Sequence, residues 1–120
     1  MSQYTDGFLL PLAKDKVEEY RAISSKAGQI WKDCGALEYR EWIGDDLHVE
    51  GQAPFPKAVT AAENETVIFA WITYESREHR DAVNAKVMAD PRMAEMMNPS
   101  SCPFDVTRMY YGGFTNLVTA

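Results

Sequence analysis

Residues that build disulfide frameworks and metal sites are scarce in this sequence. It contains only two cysteines, Cys34 and Cys102, and they form no Cys-x-x-Cys motif. The two histidines, His48 and His79, lack the His-x-x-x-His or Glu-x-x-His spacing that places two metal ligands on one helix face. We therefore expect no disulfide framework, no protein-derived metal site and a reduced, cytoplasmic setting.

Long hydrophobic runs and excess positive charge are missing as well. No apolar stretch approaches the ~18 residues that a membrane-spanning helix needs, and residues 1–6 lack the basic start and apolar run of a signal peptide. The formal net charge is -6, and the densest basic stretch, from Arg77 to Arg80, is interrupted by Glu78. An acidic chain repels phosphate backbones and anionic lipid headgroups. The sequence therefore predicts neither a membrane nor a nucleic acid as a partner.

Several motifs of nucleotide and acyl-transfer chemistry are also missing. The sequence has no Gly-rich phosphate loop, no Rossmann fingerprint and no Gly-x-Ser-x-Gly elbow. These omissions disfavour nucleotide-dependent enzymes and serine hydrolases, and nothing in the sequence predicts a cofactor.

What the sequence does contain is the balance of one ordinary folded domain. Of its 120 residues, 46% are hydrophobic and 25% are charged, which supplies a core and lies well away from the composition of disordered chains. A chain of this length is too short for two independent cores. We expect a single α+β domain over residues 1–120.

Hydrophobic periodicity predicts alternating strands and helices. Alternating or continuous apolar stretches predict strands over 8–12, 37–43, 66–74 and 106–118. Apolar positions from 17 to 34 recur at helical spacing, a second helix follows Ser76, and a short one begins at Pro91. The connection 47–65 shows no sustained period, and we expect it to contain a short hairpin or arm. The order is that of a ferredoxin-like βαββαβ antiparallel sheet with helices on one face.

The third predicted strand is apolar on both of its faces. Val67, Phe69 and Trp71 alternate with Ile68, Ala70 and Ile72, so the two sets lie on opposite sides of the sheet. Helices on one side of a four-stranded sheet cover only one of these sets. A second apolar face marks an interface or a ligand cavity, and we expect it to pair with a second copy of the chain.

Several strings in the sequence resemble a known family. The chain resembles the bacterial YbaA-like family, domain of unknown function 1428, along nearly its whole length, in the strings 6–8, 35–41, 84–93, 103–105 and 108–114. The resemblance implies the dimeric α/β-barrel superfamily, in which two ferredoxin-like sheets enclose a cavity. Other families of that superfamily include cofactor-free monooxygenases, isomerase-like enzymes and proteins without known activity, so the fold alone assigns no reaction.

A polar trio near the last strand is the preferred candidate site. Arg108 and Tyr110 share a face of the predicted last strand, and Asp105 stands just before it, so the three are expected to enter the cavity beside Trp71 or Tyr74. An arginine offers a two-pronged donor to a carboxylate or enolate oxygen, and a tyrosine donates to the same charge. These five residues are the candidate ligand-binding set.

The candidate catalytic residues are His79, Arg108 and Tyr110, and each has a structural alternative. His79 has a suitable ordinary pKa for a proton shuttle, but at the start of a helix it also suits a capping or surface role. Arg108 is also expected to form a structural pair across strands, with Asp105 or Glu41.

Two classes of function follow from these predictions. The first is a homodimer that binds or transforms a small apolar or aromatic acid in its barrel cavity. The alternative is a non-catalytic homodimeric protein-interaction module, and an association with RNA conflicts with the acidic charge. The sequence leaves open whether the chain is an enzyme.

Overall fold

The computed structural model describes residues 3–96 and 102–120. Its elements, in chain order, are β1 (Tyr4–Ala13), α1 (Val17–Asp33), β2 (Glu38–Ile43), α2 (Phe55–Ala58), β3 (Glu65–Tyr74), α3 (Arg77–Ala89), α4 (Pro91–Met96) and β4 (Tyr110–Thr115). Short 3-10 turns at Lys14–Lys16 and Val106–Arg108 precede α1 and β4. Among the residues described, no helix is long and apolar enough to cross a membrane.

The four strands form one antiparallel sheet in the order β2-β3-β1-β4. The two longest strands, β1 and β3, lie at its centre and pair from Tyr4 opposite Tyr74 to Ala13 opposite Glu65. Helices α1 and α3 cover one face of the sheet, where Ile30, Val83 and Val87 pack with buried residues of β3. The predicted ferredoxin-like βαββαβ architecture is confirmed.

The opposite face of the sheet, which we call the open face, is covered by neither α1 nor α3, and of the described helices the one-turn α2 contacts it, through Phe55 on Phe69. Alternation along the strands places on it Leu9 of β1, Trp42 of β2, Phe69 and Trp71 of β3, and Tyr110 and Phe114 of β4. Trp42, Phe69, Tyr110 and Phe114 are among the most exposed large side chains described, with Phe69 at 44% exposure. The prediction that β3 is apolar on both faces is therefore confirmed.

The residues at the start of α3 and at the end of α1 suit the helix ends that they occupy, whereas the start of α1 has no side-chain cap. The Ser76 side chain accepts a hydrogen bond from the His79 amide at the start of α3, as expected of an N-cap. Gly35 follows α1 with φ of +116°, a conformation that glycine adopts without the steric cost of a side chain. The 3-10 turn that holds Asp15 comes before α1, whose N-cap Lys16 makes no side-chain cap.

Several boundaries differ from the predictions: β1 begins at Tyr4 rather than at 8, and β4 ends at Thr115 rather than at 118. The last strand begins at Tyr110 rather than at 106, because the Asp105 side chain accepts a hydrogen bond from the Thr107 amide and turns the chain instead. The connection 47–65 holds the short helix α2, which starts after Pro54, rather than a hairpin. Pro11 lies in β1, two residues past Leu9, which is the last residue of β1 that pairs with β4. The missing amide hydrogen of Pro11 therefore interrupts no pairing with β4.

Candidate functional site

A cleft opens between α1 and the edge strand β2, on the helix side of the sheet. It encloses about 470 Å³, which lies within the range of small-molecule sites. Serine, glutamine, lysine and arginine side chains of α1 line it together with apolar residues of both elements. The lining includes Val17, Arg21, Ser24, Ser25, Lys32, Ile43 and Ile68.

A hydrogen-bonded trio of Tyr20, Tyr39 and Glu41 contributes to the lining of this cleft. Tyr39 and Glu41 are two residues apart in β2, so both side chains project to the helix face. The Tyr39 hydroxyl donates to Oε2 of Glu41 at 2.7 Å. The Tyr20 hydroxyl, from α1, donates to the other carboxylate oxygen. Each oxygen of Glu41 therefore accepts a hydrogen bond from a different element.

A glycine in α1 makes room for this trio. A β-carbon at Gly28 would lie 2.8 Å from Cδ1 of Tyr39, closer than real contacts allow. Glycine costs a helix interior about 1 kcal/mol relative to alanine. Its presence here lets the helix approach β2 closely enough for Tyr20 to reach Glu41.

Burial and charge keep both tyrosines protonated. Burial, followed by the negative charge of Glu41, raises the pKa of Tyr20 well above its ordinary value. The same two causes raise the pKa of Tyr39. The nearby Ser24 side chain acts to lower both pKa values without cancelling these shifts. Both hydroxyls therefore keep the protons that they donate to Glu41.

A second polar cluster, around Asp6, lies inside the core. Asp6 is 1% exposed and receives a hydrogen bond from Nη1 of Arg80 at 2.7 Å. Burial raises the pKa of Asp6, although Arg80, Tyr111 and Asn84 each act to lower it. Arg80 also donates to the Tyr111 hydroxyl at 2.8 Å. The cluster links β1, α3 and β4, and we assign it to holding these elements together.

The sheet separates Tyr74 from the other two aromatic residues of the predicted site. Trp71 lies on the open face, where its indole nitrogen donates to Glu38 at 2.6 Å. Tyr110 lies on the same face and is exposed. Tyr74 belongs to the opposite face and is fully buried against the helices. Trp71 and Tyr110 are thus available to a barrel cavity, and Tyr74 is not.

Arg108 and Asp105 lie at the end of the sheet. The Arg108 guanidinium donates to both carboxylate oxygens of Glu65, at 2.8 and 3.0 Å, and to the Thr60 carbonyl. Asp105 caps the 3-10 turn that contains Arg108. Because Arg108 precedes β4, it does not share a strand face with Tyr110. Arg108 thus forms a structural ion pair, but its partner is Glu65 rather than the predicted Asp105 or Glu41.

His79 lies in the first turn of α3. Its Nδ1 accepts a hydrogen bond from the Glu75 amide at 3.0 Å, and its ring meets the edge of Tyr74. The structure therefore gives His79 a part in the start of the helix and does not bring it to Arg108 or Tyr110.

Sequence reasoning missed Tyr20, Tyr39 and Glu41 as a group. Tyr20 was part of the apolar stripe of α1, and Tyr39 and Glu41 alternate in the second strand. The available signal was that Tyr39 and Glu41 lie two residues apart in one strand. Only the packing of α1 on β2 brings Tyr20 to them. Among the described residues, no group of histidine, cysteine and acidic side chains is placed to hold a metal ion.

Comparison with known proteins shows one family and one fold. Residues 3–106 match a family described as protein of unknown function (DUF1428). The uncharacterized protein YbaA of Escherichia coli is 44% identical over 116 residues, which cover 97% of each chain.

Two solved structures share the fold at low identity. A NIPSNAP-family protein of unknown function from Agrobacterium tumefaciens superposes with a TM-score of 0.61 and 17% identity, over 95% of this chain and 87% of that one. SnoaB, a cofactor-independent oxygenase from Streptomyces nogalater, does so with a TM-score of 0.60 and 11% identity, over 99% and 97%. At these identities the likeness concerns the fold alone.

Proposed function

This chain belongs to the DUF1428 family of proteins of unknown function, and we propose that it is a homodimer that binds a small molecule in the cleft between α1 and β2. The observation that carries the proposal is the trio of Tyr20, Tyr39 and Glu41 beside an open space of about 470 Å³. Apolar walls with a few convergent polar groups are typical of ligand sites.

The open face supports the proposal that the protein is a homodimer. Its aromatic side chains contact one another, with ring centroids of Trp42 and Trp71 and of Phe69 and Trp71 both 5.5 Å apart. Phe55 of α2 extends the patch by stacking on Phe69. A contiguous apolar patch of this kind is typical of an interface, and a second sheet is its natural complement. The occupant that we propose is the open face of a second copy.

The two parts of the proposal are compatible in space. The cleft lies on the helix side of the sheet and reaches the edge at β2, whereas the dimer would cover the opposite face. Pairing of the open faces would therefore cover the Trp42 side of the cleft and leave the α1 side accessible.

The barrel cavity between two paired open faces is a second candidate ligand site. It is favoured by the polar groups at one end of the open face, where Glu38 accepts from the Trp71 indole and contacts Arg40 at 3.3 Å. Tyr110 lies on the same face. A small apolar or aromatic acid remains the ligand proposed for this second site.

Native mass spectrometry of the untagged protein from its own cells tests both parts at once. We expect a dimer that carries extra mass from a retained small molecule. Ser25→Trp, at the rim of the cleft, should remove the extra mass by filling the space. Ala22→Trp is the matched control, because Ala22 is exposed on α1 and does not line the cleft.

Other outcomes would overturn particular parts. Extra mass that persists in the Ser25→Trp protein would indicate that the ligand binds in the barrel cavity instead of the cleft. A dimer without extra mass in any variant would remove the retained-ligand proposal and favour the interaction module. A monomer would refute the role of the open face.

A further inference from the structure

The carboxylates that are not fully exposed follow one pattern, with a single exception. Five acidic side chains in residues 3–96 and 102–120 are buried or half-buried. Four of them contact an arginine: Asp6 with Arg80 at 2.7 Å, Glu38 with Arg40 at 3.3 Å, Glu65 with Arg108 at 2.8 Å and Asp90 with Arg92 at 2.8 Å. The fifth is Glu41. Within the described parts of the chain, it has no cationic partner.

The partners of Glu41 are neutral. Tyr20 and Tyr39 each donate one hydrogen bond to it, which satisfies part of the carboxylate and leaves its charge uncompensated. A carboxylate has about four acceptor positions, so two remain. Withdrawing a charge from water without an opposite charge is costly, and a cationic ligand would offset that cost.

The two cations that line the cleft are occupied elsewhere. Arg21 donates to both carboxylate oxygens of Glu18, at 3.1 and 3.3 Å, in an exposed pair on the helix surface. Lys32 donates to the Leu37 carbonyl at 2.8 Å. Neither contacts Glu41, so no side-chain cation in the described parts of the chain is seated on this carboxylate.

The walls around Glu41 suit the remainder of an organic cation. The rings of Tyr20 and Tyr39 flank the carboxylate, and aromatic faces attract ammonium groups. Val17, Ile43 and Ile68 add apolar surface nearby. A small amine with an aromatic or aliphatic body would place its ammonium on Glu41 and its apolar part against these side chains.

We propose that the cleft recognises a small apolar amine in its protonated form, with Glu41 as the residue that binds the ammonium. This inference rests on the proposed function, since it names the ligand class of the same cleft. The ligand is opposite in charge to the acid predicted from the sequence, a prediction that depended on Arg108. In the structure, Glu65 engages that arginine.

Isothermal titration with three ligands of one shape tests the charge preference. Benzylamine, benzyl alcohol and benzoate share a benzyl-sized body and differ in charge. We expect the wild-type protein to bind benzylamine more tightly than either of the others at neutral pH. This comparison needs no variant, so it stands even if a change at Glu41 disturbs folding.

A substitution at Glu41 then tests whether this residue causes the preference for benzylamine. Glu41→Gln keeps the shape and removes the charge, and we expect it to weaken benzylamine binding by about tenfold or more, since one charge-assisted hydrogen bond is lost. Glu63→Gln is the matched control, because it removes the same charge from an exposed loop position. Circular dichroism of both variants checks that the fold is kept.

The results separate this inference from the function on which it rests. Tighter binding of benzoate, equal binding of all three ligands, no binding of any, or an unchanged affinity in Glu41→Gln would overturn the amine proposal. Loss of benzoate or benzyl alcohol binding in Ser25→Trp would still support the cleft as a ligand site. If Ser25→Trp leaves the binding of every ligand unchanged, both the amine proposal and the proposal that the cleft is a ligand site would be overturned.

Discussion

The Arg108 guanidinium shows how one partner decides the role of a side chain. Its two hydrogen bonds to Glu65 form a fork-to-carboxylate pair, and a third goes to the Thr60 carbonyl. The Arg108 hydrogen bonds are the main reason that the pKa of Glu65 lies below its ordinary value of 4.5. These contacts tie the turn before β4 to the start of β3.

This pair predicts a pH-dependent contribution to stability. Because the pKa of Glu65 is lowered on folding, its stabilisation is present above the unfolded value of 4.5 and is lost as the pH falls through the lower folded value. Arg108→Leu should therefore reduce the free energy of unfolding more at neutral pH than at about pH 3. Urea unfolding of both proteins at the two pH values measures the difference.

The control for this prediction removes the titrating group. In a Glu65→Gln background, the effect of Arg108→Leu should vary less with pH. An effect of Arg108→Leu in the wild-type background that is equal at both pH values would show that the pair is too well solvated to matter.

At the scale of elements, strand β4 depends on a pair of glycines. Gly113 lies opposite Asp6 on the helix face, where the Tyr4 ring occupies the space that a side chain would need. Tyr4 is buried, and the Arg80 guanidinium lies 5.0 Å above its ring, so the ring has little freedom to move. Gly112 points to the open face. The lack of a side chain at Gly113 therefore makes room for the Tyr4 ring.

Substitution of the two glycines should have unequal effects. A β-carbon at Gly113 would lie 2.6 Å from Cζ of Tyr4, whereas one at Gly112 would lie at an ordinary 3.7 Å from the Phe114 ring. We expect Gly113→Ala to lower the free energy of unfolding by about 1–3 kcal/mol, the usual cost of overpacking. Gly112→Ala should be close to neutral. Chemical denaturation measures both, and equal losses would argue against the role of Tyr4.

At the scale of the whole molecule, the two faces of the sheet differ in what they carry. Its helix side carries the core, the cleft and the buried Asp6 cluster. Its open side carries aromatic residues that α1 and α3 leave uncovered, with Phe55 of α2 stacked on Phe69. The architecture therefore leaves one face for association with a second copy and one edge for a ligand.

A charge at the centre of the open face should break the proposed dimer. Phe69 contacts both Trp71 and Phe55, so Phe69→Glu would place like charges in a desolvated interface. We expect the dimer to dissociate about 30-fold or more readily, as for the loss of an interface hot spot. Met88→Glu is the control, because Met88 is exposed on α3. Light scattering over a dilution series measures the mass, and a dimer that persists in Phe69→Glu would place the interface elsewhere.

Patterns within single segments were enough to predict the architecture. The βαββαβ order, the two apolar faces of β3 and the cap at Ser76 all follow from spacings of two to four residues, which the backbone geometry of strands and helices sets directly. The start of β4 was misplaced because the Asp105 turn competes locally with the strand.

Contacts between segments were decided only by the tertiary structure. The Tyr20–Glu41 pair spans 21 residues of sequence, Arg108–Glu65 spans 43 and Asp6–Arg80 spans 74. Each depends on how closely a helix approaches the sheet and on the register between strands, neither of which a local spacing encodes. The sequence by itself therefore determined the fold and the apolar open face, whereas the packing of α1 on β2 created the cleft and left Glu41 without a cation.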